Sequence, residues 1–121
     1  MERANLNWSE LTFGYTKTDC HLEYYFRNGK WEDGNVVEDD TLHLNMASTC
    51  LHYGQEAFEG LKVFEQKDGT ISVFRVEENA RRMINSADKI LMEPFPEEKF
   101  IEAVERLVTL NRRFVPPYGS G

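Results

Sequence analysis

Two adjacent arginines, Arg81 and Arg82, are the residues of this 121-residue sequence best suited to meet an anion. A guanidinium is planar, always charged, and presents a fork of N–H donors matched to two oxygens of a phosphate or carboxylate. Around the pair, Ala80, Met83, Ile84 and Ala87 recur at i, i+3, i+4 and i+7, the period of one helix face. At about 100° of rotation per residue both arginines point away from that face, and Arg82 lies nearly opposite it. From this pattern alone a solvated helix surface is the simpler account of the pair.

Other reactive types are weaker candidates. Lys62 follows Phe58-Glu59-Gly60-Leu61 and could be imagined as a Schiff-base amine. On a strand between Leu61 and Val63 it points away from their face toward solvent, where an amine stays protonated and is a poor nucleophile. Cys20, Cys50, His21, His43 and His52 match no ligand spacing, so no metal site is expected. Strand alternation turns a histidine beside a cysteine to the opposite face, so both cysteines are expected to be free thiols in or near the core.

These residues need elements to hold them. From His21 to Arg27 the chain is rich in aromatics and meets Asn28-Gly29, a pair that tolerates the positive φ angles of a type I′ turn. Lys30, Trp31 and Glu32 start the return strand, and Asp33-Gly34 marks a second turn or a bulge. Residues up to Thr18 read as an extended arm or irregular first strand. Val36 to Asn45 includes a further strand, and Met46 to Gly54 is amphipathic in neither period. Leu61–Gln66 and Thr70–Arg75 flank Asp68-Gly69 as a second hairpin. A helix then runs from Glu77 to Leu91, with Glu77 and Glu78 at its positive end. A second helix starts at Pro96 and carries the stripe Phe100, Ile101, Val104, Leu107 and Val108, before Pro116-Pro117 ends the segment. Strands first and helices last predict an α+β fold, a mainly antiparallel sheet covered by two helices.

The length suits a single domain over residues 1–121. A hydrophobic share of 40% is that of a folding chain rather than a disordered one. The net charge of -7 argues against nucleic acid as a partner. With no apolar run near the roughly 18 residues of a membrane span and no leader-like start, no membrane partner is expected, and a cytoplasmic location is. The final Pro-Pro-Tyr-Gly-Ser-Gly reads as an interdomain loop.

Two stretches carry a resemblance. Leu51-His52-Tyr53-Gly54-Gln55-Glu56-Ala57-Phe58-Glu59-Gly60-Leu61-Lys62 and Phe74-Arg75-Val76-Glu77-Glu78-Asn79-Ala80-Arg81-Arg82-Met83 are similar to branched-chain amino acid aminotransferases. The likeness continues through Asn85-Ser86-Ala87, Pro94 to Glu98 and the last eight residues, and is looser before residue 50, mainly at Phe13-Gly14. Val76 departs from the family, where proline is common. The resemblance implies the N-terminal small domain of a fold type IV pyridoxal phosphate enzyme, with the cofactor in a cleft against a larger C-terminal domain absent from this chain. It implies that Arg82 binds the cofactor phosphate, and that Tyr53, Phe58 and, at the mouth, Phe13 line the apolar pocket for the substrate side chain. It further implies amino transfer between L-leucine, L-isoleucine or L-valine and 2-oxoglutarate, and a homo-oligomer. The family's Schiff-base lysine lies in the C-terminal domain, so no catalytic residue is expected here, no turnover from these residues alone, and no firm retention of pyridoxal phosphate. D-amino acid aminotransferases and aminodeoxychorismate lyases share the fold and remain alternatives, as does a non-catalytic binding or assembly module.

Overall fold

A computed structural model describes residues 2–120 of the chain. Four short strands, β1 (His21–Glu23), β2 (Phe26–Arg27), β3 (Lys30–Trp31) and β4 (Asn35–Val37), make one interrupted antiparallel hairpin. Asn28 and Gly29 have φ of 53° and 78°, the two positive values that a type I′ turn demands. Phe26 faces Trp31, but Glu23 faces Asn35, so the pairing slips by one residue and the extra one falls within Glu32-Asp33-Gly34. The second turn signal is therefore a bulge. It requires glycine, because a Cβ at Gly34 would overlap the Tyr24 ring. That ring meets Phe95 edge-on at 5.0 Å, as does Trp31 at 4.9 Å, and Trp31 Nε1 donates to the Pro94 carbonyl at 2.9 Å. The hairpin thus grips the segment between the two long helices.

The strand expected within Val36–Asn45 ends at Val37. Asp39 accepts from the Thr41 N–H at 2.9 Å, and this side-chain turn takes the backbone out of the ladder. Among its described residues the N-terminal arm holds no strand but a turn of 3₁₀ helix at Trp8–Glu10. It is tied down through the Ala4 N–H, which donates to the Arg113 carbonyl at 2.9 Å. Within Met46–Gly54 lies one exposed helical turn, α1 (Thr49–His52).

The second hairpin, β5 (Val63–Glu65) with β6 (Ile71–Val73), closes through the five residues 66–70. Gly69, at φ 86°, donates to the Gln66 carbonyl at 2.9 Å. Strands of two or three residues are too short to merge, so the antiparallel pairing consists of three separate two-stranded ladders.

Two long helices, α2 (Val76–Lys89) and α3 (Glu97–Leu110), pack against each other. On α2 the expected stripe is observed at Ala80 and Ala87, both buried, and at half-buried Met83, Ile84 and Ile90. Leu91 departs from it. The Met92 N–H returns to the Ala87 carbonyl at 2.9 Å and the Leu91 N–H to the Asp88 carbonyl at 3.3 Å, a Schellman closure. This puts Leu91 in the left-handed region at φ 59°, where the residue is 90% exposed.

On α3 the apolar stripe is half-buried except at exposed Leu107. The helix stops at Leu110, before Pro116-Pro117, because Asn111 leaves it to bond elsewhere. Its buried carboxamide accepts from the Asp19 and Cys20 N–H groups at 3.0 and 3.1 Å and donates to the Cys20 carbonyl at 3.0 Å. One side chain thereby pins α3 to the approach of β1, and Cys20 beside it is a buried free thiol as expected.

Leu91 loses no packing if shortened, while a left-handed conformation costs an L-residue on the order of 1 kcal/mol. Leu91→Gly is expected to stabilise the chain by about 1 kcal/mol in urea denaturation. A loss of stability would show that the leucine side chain contributes contacts that its exposure denies.

Candidate functional site

The chain between α1 and β5 folds over α2, and polar side chains fasten it there. Gln55 Nε2 donates to the Ile90 carbonyl at 2.9 Å, satisfying one of the orphan carbonyls at the end of α2. Thr49 Oγ1 donates to Gln55 Oε1 at 2.7 Å and fixes the amide's orientation. Asn79 is buried on the inner side of α2, where a polar group is costly unless bonded. Its Nδ2 donates to the Gly60 carbonyl at 3.1 Å and to Glu59 Oε1 at 2.9 Å.

Arg82 meets the same carboxylate oxygen one turn further along the helix. Its Nε donates to Glu59 Oε1 at 3.0 Å, and its Nη2 also pairs with that oxygen. Glu59 is 11% exposed and Arg82 63% exposed, so the carboxylate is sheltered while most of the guanidinium faces solvent. The Arg82 hydrogen bonds, seconded by Asn79, hold the Glu59 carboxyl below the usual carboxylate range despite its burial. Arg82 is correspondingly raised. Among the described residues its Nη1 has no hydrogen-bond partner, which leaves the Nη1/Nη2 edge open to an anion.

Arg81 is engaged differently. It bridges Glu78 at 3.0 Å and Glu97 at 3.3 Å, joining α2 to the start of α3. Of the two adjacent arginines, then, one links helices and the other opens onto an indentation of about 430 Å³. Lys62 and Arg75 also border that indentation, with Phe74 exposed at its rim. Three cations around one hollow, against the single carboxylate of Glu78 on its lining, favour a ligand of negative charge.

Lys62 is exposed, as strand alternation predicts, and lies on the anion hollow. Tyr53 and Phe58 are 83% and 88% exposed, and neither lines the hollow beside Arg82. Phe13 stands free in solvent at the edge of a second, larger hollow that shares Lys62 and Phe64 with the first. The chain by itself therefore presents these aromatics as a surface rather than enclosing them as a pocket. No group of metal-ligating side chains occurs among the described residues.

Sequence reasoning missed Glu59 and Asn79. A signal existed for the second, since Asn79 precedes Met83 by four residues and so belongs to the buried face of α2.

No family model matches the chain. Among curated proteins it is 45% identical to a branched-chain-amino-acid aminotransferase of Haemophilus influenzae, over 97% of this chain and 34% of that protein. It is 39% identical to the Helicobacter pylori enzyme of that name, again over 97% and 34%. Identity is also 39% with the chloroplastic branched-chain-amino-acid aminotransferase 5 of Arabidopsis thaliana, over 99% and 29%. The chain is a homologue of the branched-chain amino acid aminotransferases. It spans about a third of the length of the curated relatives it matches. In this aminotransferase homologue, the Glu59–Arg82 pair and the three cations of the hollow fall within the two stretches that carried the resemblance.

A second carboxylate, Glu65, is also held below its usual range, by Arg3 at 2.7 Å and Arg112 at 3.2 Å. Groups depressed on folding stabilise the fold above their unfolded value and cease to do so as pH falls through the lower folded value. Melting temperature should stay level from about pH 8 to pH 5.5 and decline once the pH drops below the ordinary carboxyl value near 4.5. Glu59→Gln should make that decline shallower. A decline that begins above pH 6, or one unaffected by the substitution, would contradict the assignment.

Proposed function

We propose that this chain serves as the N-terminal small domain of a cytoplasmic, pyridoxal-phosphate-dependent branched-chain amino acid aminotransferase, and works against a C-terminal domain that supplies the cofactor-bearing lysine. The supporting observation is Arg82. Its guanidinium stands on the outer face of α2 with one donor edge free, beside Lys62 and Arg75, which is the donor set a phosphate dianion needs. The residues present therefore fit the phosphate end of pyridoxal phosphate.

When bound, the cofactor supplies an electron sink and an amino carrier, so transfer runs between a branched-chain L-amino acid and 2-oxoglutarate. The residues of this chain bind and orient. Arg82 anchors the phosphate by charge-assisted hydrogen bonds, with Lys62 and Arg75 adding positive potential. Tyr53 and Phe58, now in water, become apolar wall when a second domain closes over them, and Phe13 guards the mouth. Aromatic walls discriminate by apolar fit, where one methylene is worth only about 1 to 3 kcal/mol. Leucine, isoleucine and valine are accordingly all accepted. The exposed apolar side chains also suit a homo-oligomer, in which such surfaces pair.

The test is to co-express this chain with the C-terminal two-thirds of the Haemophilus relative, add pyridoxal phosphate, and follow leucine-dependent loss of 2-oxoglutarate. Turnover is expected from the complex and from neither part alone, with Arg82→Ala releasing cofactor at least tenfold more readily than Arg81→Ala. A folded complex without turnover, or equal cofactor loss in the two variants, would overturn the reading.

A further inference from the structure

Arg82 is held by one edge and open at the other. The Nε/Nη2 edge lies on Glu59 Oε1, whereas Nη1 has no partner among the described residues. The oxygen that receives it is itself immobilised. Asn79 Nδ2, buried within the fold, donates to Oε1 at 2.9 Å and to the Gly60 carbonyl at 3.1 Å, so the carboxylate is referred to the backbone on one side and to α2 on the other. An exposed arginine gives up substantial rotamer freedom on binding an anion, and a guanidinium already fixed through its inner edge has less to lose.

We infer that Glu59, oriented by Asn79, is a positioning residue that holds the Arg82 guanidinium ready for a phosphate group. This rests on the reading of Arg82 as a phosphate ligand. The carboxylate does not compete for the phosphate, because it takes the Nε/Nη2 edge and leaves Nη1 and the outer hydrogen of Nη2 available. Its negative charge opposes an incoming anion, and Lys62 and Arg75 on the same hollow offset that repulsion. The inference also accounts for a carboxamide at a buried position of α2, where an apolar residue would have been the simpler choice.

Arginine Nε–Hε resonances of the ¹⁵N-labelled chain, with Arg82 identified by its disappearance in Arg82→Lys, provide the test, and inorganic phosphate is the probe. Slow solvent exchange at the Arg82 Nε–Hε and a saturable shift with phosphate are expected. In Glu59→Ala the exchange should accelerate and phosphate affinity fall about tenfold, and Glu59→Gln, which keeps an acceptor oxygen, should recover affinity to within about threefold of wild type. Equal or tighter phosphate binding by a folded Glu59→Ala would make the carboxylate a bystander or competitor and overturn this inference alone. Fast exchange at Arg82 in the wild-type chain would overturn it even if the alanine variant failed to fold. No response of Arg82 to phosphate in the wild-type chain would overturn the phosphate-ligand reading and this inference with it.

Discussion

A single carboxylate oxygen, Oε1 of Glu59, joins the loop that carries the aromatic residues to the helix that carries the arginine. Three donors converge on it: the carboxamide of Asn79 and two nitrogens of Arg82. Without that junction the polar side-chain contacts between α2 and the segment from α1 to β5 would reduce to Asn79 on the Gly60 carbonyl and Gln55 on the carbonyls that follow the helix. With it, hydrogen bonds tie the loop to α2 near both ends of the helix, and the backbone that carries Tyr53 and Phe58 is held relative to Arg82 by those bonds. Sheltered charge pairs of this kind contribute little net stability but specify geometry, since a partner removed leaves the other unpaired.

The rest of the fold supports this unit by similar means. Asn111 pins α3 to the approach of β1, and Arg3 and Arg112 converge on Glu65 to hold the N-terminal arm against the second hairpin. Apolar burial is modest. Among the described residues no large side chain is fully buried, and the buried apolar residues are small, such as Ala80, Ala87 and Val115. Specific polar contacts between distant segments therefore do much of the work that a larger core would do elsewhere.

Local rules explain what could be read from the sequence. Asn28-Gly29 and Asp68-Gly69 made their turns because Asn28, Gly29 and Gly69 accept positive φ. The apolar period placed α2 correctly to within a residue or two, and the outward direction of Arg82 followed from its phase alone. Leu91 fit the period yet left the helix, because closing the last turn demands a left-handed residue wherever the helix ends. Glu59 and Asn111 escaped notice for one reason. Their partners lie far away in sequence, 20 residues or more, and a hydrogen bond across that distance leaves no periodic trace. The role proposed for Arg82 came from resemblance, while the open edge of its guanidinium is visible only in three dimensions.

The most direct measurement is an experimental structure of this chain together with its proposed C-terminal domain, loaded with pyridoxal phosphate. The account predicts phosphate oxygens on the Nη1/Nη2 edge of Arg82, Glu59 still on Nε, and Tyr53 and Phe58 covered. Phosphate held elsewhere with Arg82 turned away, or Glu59 displaced from the guanidinium by the phosphate, would contradict it.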